Sequence, residues 1–188
     1  MFDSQSHDHA QRPPMAVPVS HLAREGRWAI DAPRSYLVPV LLWFTCGQGR
    51  LSVDGEMRGY TAHNAIFLPA NTPHACEAFG RTQGTALFLG ARGDLPVPAD
   101  MLHLRLTALQ QQTELNDLVD GFRRDCATAG PLGDEILYHR AALIGLWLTR
   151  HGLMAGARRT PGAQAAAPES THQGPRLAGL RRSADKTS

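Results

Sequence analysis

The sequence predicts a mainly β domain with helices at its C-terminal end. Three observations predict it. Short apolar stretches separated by turn residues recur roughly every 8–12 residues through 21–90, the cadence of a sandwich or barrel. A stiff proline segment, Asp94-Leu95-Pro96-Val97-Pro98-Ala99, then interrupts the pattern. Beyond it the apolar period changes to that of a helix. The 188-residue length and 43% hydrophobic content allow one such domain plus an appendage.

The β elements follow in order. Tyr36–Cys46 is a nearly continuous apolar run, too rich in Val, Trp and Phe for a helix. Pro39 within it predicts an edge position or a bulge, because proline donates no ladder hydrogen bond. Gly47-Gln48-Gly49 predicts a turn, and Leu51-Ser52-Val53 then alternates inward, outward, inward. Asp54-Gly55 predicts a tight hairpin turn, whose two central residues need positive φ. Glu56–Tyr60 forms the return strand and Ala65–Leu68 a further one. Pro69–Pro73 makes a turn, and His74–Phe79 and Thr85–Leu89 complete the set.

Two helices follow. Leu115, Leu118, Val119, Phe122 and Cys126 share one helical face. Ala129–Gly133 breaks that helix. Asp134 is the expected N-cap of a second one reaching His151. This second helix is apolar on more than one face, which a helix covered from two sides requires. Residues 1–19 read as a disordered arm, 20–93 as the β unit and 94–153 as linker and helical hairpin. Residues 154–188 read as a disordered basic tail, since their few large apolar residues cannot offset an ordering entropy of roughly 1–2 kcal/mol per residue.

Charge and composition exclude several classes. The net charge of +2 is too small to imply a nucleic-acid or membrane partner for the whole chain. Residues 155–188 hold six basic and two acidic residues, so they carry +4 and the remainder carries −2. No apolar run approaches the roughly 18 residues of a transmembrane helix. The polar opening MFDSQSHDHAQRPP lacks the apolar core of a secretory signal. Cys46, Cys76 and Cys126 are too few and too far apart for a disulfide framework or a metal knuckle, and are expected as buried small hydrophobes. A cytoplasmic protein is expected.

With a β unit followed by a helix pair in view, a resemblance becomes visible. It is carried by Arg24-Glu25-Gly26-Arg27-Trp28, by Leu41-Leu42-Trp43-Phe44-Thr45-Cys46-Gly47-Gln48-Gly49, by Val53-Asp54-Gly55 and by His63 to His74. Together these resemble the N-terminal sensor domain of AraC-type transcription regulators, over about residues 21–151. Pro69–His74 looks like the second cupin motif. The resemblance implies a cupin-like (RmlC-like jelly-roll) β-barrel and an antiparallel helical hairpin that forms a homodimer. It also implies a small-molecule effector and a non-catalytic role in regulated transcription.

The sequence departs from that family in two places. Where the first cupin motif supplies His-x-His, this chain reads Pro33-Arg34-Ser35, so no metal and no cofactor are expected. After His151 no recognition-helix pattern follows. DNA is then reached only through a missing or separate helix-turn-helix part, which a neighbouring reading frame is expected to encode. Trp28, Arg34, Trp43 and His74 are the ligand-binding candidates. Of Trp43 and its neighbour Phe44, which point to opposite faces, at most one can face the barrel interior. Leu115, Leu118, Phe122, Ile144 and Trp147 are the dimerisation candidates, with packing on the chain's own barrel weighed equally. The competing reading is a stand-alone cupin enzyme, a metal-dependent isomerase or dioxygenase.

Overall fold

The computed structural model describes residues 13–24, 28–128 and 130–159. Six strands and three helices run in the order β1 (Met15–Pro18), α1 (Val19–Arg24), β2 (Val40–Val53), β3 (Glu56–Thr61), β4 (Asn64–Leu68), β5 (His74–Phe88), β6 (Leu102–Arg105), α2 (Leu109–Ala127) and α3 (Gly133–Arg159). The strands form one antiparallel sheet in the order β1-β5-β2-β4-β6, with β3 paired to β2. The sheet is open among the described residues: β1 and β6 are its edges, not joined into a closed barrel.

β2 and β5 span the sheet and bend in the middle. The pairing register between them shifts between Phe44 and Cys46 and again between Cys46 and Gln48. Gly47, with φ of +90°, accommodates the irregularity. The predicted turn at 47–49 is therefore a bulge inside one long strand. Its effect is a switch of parity. Before it, Val40, Leu42 and Phe44 point into the inner cluster; after it, Leu51 and Val53 do. A strand without the bulge would aim Leu51 and Val53 to the side of Leu41 and Trp43.

The bend brings the two halves of the inner face together. Phe44 stacks on Tyr60 with ring centroids 3.9 Å apart, and Trp28 packs on Phe44 at 6.1 Å. Gly49 makes room for this stack. A Cβ there would collide with the Tyr60 ring and the Glu77 carbonyl. The Asp54-Gly55 turn has the expected positive φ values, 51° and 82°. Pro39 stands just before β2, and its carbonyl accepts from the Leu89 N–H at 2.9 Å.

The outer face of the sheet carries the helices. Leu41, Trp43, Phe67 and Leu87 pack against Leu115, Phe122 and Ile144 in a second cluster. The Trp43 indole N–H donates to Asn116 Oδ1 on α2 at 2.8 Å. Between the helices, Gln111 meets His151, Glu114 meets Trp147, and Arg140 meets Asp125 at 2.7 Å. Positions rising along α2 thus meet positions falling along α3. α3 starts at Gly133, after Leu132 at a φ of +64°, so Asp134 lies in the first turn and favours the helix through its dipole rather than capping it.

Two strands appear where none is predicted. Met15–Pro18, read as part of an arm, pairs with β5, and Leu102–Arg105 pairs with β4. Residues 1–12 and 160–188, which hold most of the predicted arm and tail, lie outside the described residues.

Candidate functional site

The turn at Pro69–Pro73 and the start of β5 fix one end of the inner face. Asn71, at a φ of +61°, donates its N–H to the Tyr36 carbonyl at 2.7 Å. Arg34 and His74 then exchange two backbone hydrogen bonds of 2.7 Å. These bonds hold the 34–38 segment along the inner face. Tyr36 lies between His74 and Phe88, at 4.9 and 5.0 Å between ring centroids.

His74 is buried. Its Nδ1 is 2.9 Å from the Thr72 carbonyl, which can only accept, so Nδ1 carries the proton. Burial pushes its pKa below the ordinary histidine value, against the opposing pull of the Thr72 bond. The ring is neutral, held and packed.

Three of the four predicted ligand residues, Trp28, Arg34 and His74, therefore belong to the inner side of the sheet. Trp43 does not. It is buried on the outer face, bonded to α2, and the inward residue of the pair is Phe44. Leu42, Phe44, Leu51, Tyr60 and Ile66 are buried together in the interior where the predicted pocket would lie. Tyr60 donates to the Glu77 carbonyl at 3.2 Å, and burial raises its phenol pKa above the usual range. Burial likewise pushes the neighbouring Cys76 thiol up to about 12. Burial thus favours the neutral form of both groups.

At least four concavities lie among the described residues, and two of them border Trp43 or the Tyr36 ring that packs on His74. One, of about 330 Å³, lies on the outer side between the sheet and α2, lined by Trp43, Thr45, Thr85, Asn116 and Arg123 among others. The other, of about 410 Å³, lies at the rim of the inner face. Met15, Val17, Leu22, Tyr36, Leu37 and Phe88 are among its walls. Sequence reasoning missed this rim groove. Met15 and Val17 belong to a strand too short to show a period, and Leu37 reads as one residue of an apolar run.

The dimerisation candidates also change place. Leu115, Phe122, Ile144 and Trp147 are buried in the chain's own core, and Leu118 is half-buried against it. The four buried ones are covered within the single chain. The apolar residues that α3 leaves to solvent are Ile136, Leu143, Leu146, Leu153 and Met154, between 46% and 72% exposed. Cys46, expected to be buried, is exposed at the bulge, while Cys126 is half-buried. Among the described residues no three His, Cys, Asp or Glu side chains gather to hold a metal. No helix among them is long and apolar enough to cross a membrane.

Fold and site together define a mainly antiparallel β domain with C-terminal helices, a packed interior and an apolar groove at its rim. No family model and no curated protein matches the chain. Among solved structures it aligns with ToxT from Vibrio cholerae. The form bound to (E)-4-(8-methylnaphthalen-1-yl)but-3-enoic acid aligns at 11% identity over 76% of this chain and 58% of that one, with a TM-score of 0.41. The form bound to unsaturated fatty acid aligns at 11% over 81% and 58%, with a TM-score of 0.40. A protein of unknown function from Acidithiobacillus ferrooxidans aligns at 17% over 30% and 54%, with a TM-score of 0.27. The chain thus spans a little over half the length of these structures. These are partial likenesses, and the functional reading rests on the residues.

Proposed function

We propose that this chain is the effector-sensing and self-associating part of an AraC-type transcription regulator, acting in the cytoplasm without catalysis of its own. The sequence motifs at 24–28, 41–49, 53–55 and 63–74 support the family. In this reading the bent sheet is a cupin-like unit, α2 and α3 are its helical hairpin, and DNA contact comes from a separate helix-turn-helix part.

The observation that carries the reading is the outer face of α3. Ile136, Leu143, Leu146 and Leu153 are exposed, while Leu137, Ile144, Trp147 and Leu148 face the chain's own core. The exposed four follow a 7-3-7 spacing, which puts Ile136 and Leu143 at a positions and Leu146 and Leu153 at d positions of one heptad seam, with His139 and Arg150 at the places between. That seam is self-complementary about a two-fold axis when two copies run antiparallel. Ile136 then meets Leu153 of the second copy, Leu143 meets its Leu146, and His139 meets its Arg150. The pairing extends over about 26 Å of helix.

Sedimentation equilibrium at micromolar concentration tests the reading. The expected result is a dimer that becomes a monomer, with unchanged circular dichroism, on Leu143→Glu with Leu146→Glu. A monomeric wild-type chain removes the self-association on which the reading stands. A stoichiometric transition metal in protein purified without chelator would support a cupin enzyme instead.

A further inference from the structure

We infer that the rim groove is a binding site for a small, uncharged, largely apolar molecule, and that the effector site lies there rather than in the sheet's interior. The inference rests on the sensing role proposed above and gives that role a place and a ligand class.

The interior among the described residues is occupied by packed side chains. Phe44 and Tyr60 are stacked, and Leu42, Leu51 and Ile66 are buried around them. The groove begins where this packing ends. Its about 410 Å³ falls within the roughly 300–1,000 Å³ of small-molecule sites. Phe88 and Tyr36 meet edge to face, and both line the groove. Met15 and Leu37, among the residues that line it, are 44% and 50% exposed. Apolar side chains left open around a concavity are what a bound apolar molecule would cover.

The chemistry of the lining selects the ligand. None of the lining residues is charged. A charged group brought into such a groove would lose its hydration with no partner to replace it, so a charged ligand is disfavoured. Ser35 and Tyr36 supply hydroxyls, which suit a ligand with one hydroxyl or carbonyl on an apolar body. The chain's own residues 3–12 are a poor occupant. They include Asp3, His7, Asp8, His9 and Arg12, with Ala10 their one apolar residue.

The groove is also connected to the helices. Met15 and Val17 of β1 line it, while Ala16, on the other face of the same strand, packs on the helix-side cluster. The Cys126 thiol of α2 lies 3.7 Å from the Pro14 carbonyl. A ligand against β1 thus presses on the strand that touches α2.

The test is fluorescence titration of the full chain with the neutral dye N-phenyl-1-naphthylamine. Saturable one-to-one binding is expected, weakened at least about tenfold by Leu37→Arg, which places a charge in the apolar site. Leu37 is already half-exposed, so that variant keeps the fold, as circular dichroism will check. Met57→Arg, at a comparably open apolar position on β3 outside both groove and seam, is expected to leave the affinity unchanged. The anionic dye 8-anilinonaphthalene-1-sulfonate should bind at least about tenfold more weakly. Equal binding by Leu37→Arg and wild type, or preference for the anionic dye, would overturn the inference. So would tighter neutral-dye binding by Phe2→Asp, because the N-terminus would then be the groove's own occupant. Self-association is read separately by sedimentation, so the groove can fail while the proposed function stands, and the reverse.

Discussion

His74 shows how a motif residue can take a structural role. Its ring is buried, its Nδ1–H is committed to the Thr72 carbonyl, and its pKa lies below the ordinary value. The sign of the pH effect follows. Below about pH 6.5 the unfolded chain takes up a proton at this histidine and the folded chain does not. The unfolded state is then favoured, so stability falls with pH in a window that opens near 6.5 and extends downward. His74→Gln has no titrating group and keeps an N–H for Thr72. Urea unfolding of both proteins between pH 7.5 and 5 should give a shallower loss of stability for the variant. A wild-type loss no steeper than the variant's would mean that His74 protonates as readily in the fold as in the unfolded chain. The same burial argument separates Trp43 from Phe44. Sequence alternation places them on opposite faces, and the contact with α2 decides that Phe44 is the inward one.

At the scale of elements, α3 is seated by the absence of a side chain. A Cβ on Gly145 would collide with the Pro96 carbonyl, a backbone atom that cannot rotate away. Gly133, in the first turn of the same helix, has open space where its Cβ would be. Ala is favoured over Gly in a helix by about 1 kcal/mol. Gly133→Ala should therefore stabilise by up to about that amount. Gly145→Ala should destabilise by about 1–3 kcal/mol despite the same propensity gain, because overpacking outweighs it. Chemical denaturation of the pair is the check, and two effects of the same sign would show that α3 is not seated on the proline segment. The elements also show what the sequence carried. The Asp54-Gly55 and Pro69–Pro73 turns and the α2 face were legible because each depends on local φ or local period. β1 and β6 were not, since four residues show no period and become strands by pairing with β5 and β4. The glycines at 47 and 49 read as a turn, whereas one permits a bulge and the other yields space to Tyr60. The apolar breadth of α3 was legible too. Which side faced the sheet depends on packing, and so Ile144 and Trp147 proved to be inward.

The whole molecule presents both faces of α3 to different partners, its own sheet on one side and, in the proposed dimer, a second copy on the other. The seam's energy comes from its apolar residues. Exposed ion pairs contribute about 0–1 kcal/mol each and are screened by salt. Burying four large aliphatic side chains per copy contributes more, at about 1.5–3 kcal/mol for each full burial, and these four are half-buried already. Association driven this way survives salt, so the dimer should persist at about 1 M sodium chloride, where the screening length is about 3 Å. Dimerisation must also appear in the thermal transition. A hundredfold rise in concentration adds about 2.7 kcal/mol per dimer, or half of that per chain. For a chain of this size that raises Tm by about 3–6 °C. Leu143→Glu with Leu146→Glu should make Tm independent of concentration and leave its dilute value unchanged, because both residues are half-exposed in the single chain. A wild-type Tm that does not move with concentration, or a dimer that dissolves in salt, would show that the exposed seam of α3 is not what joins two copies.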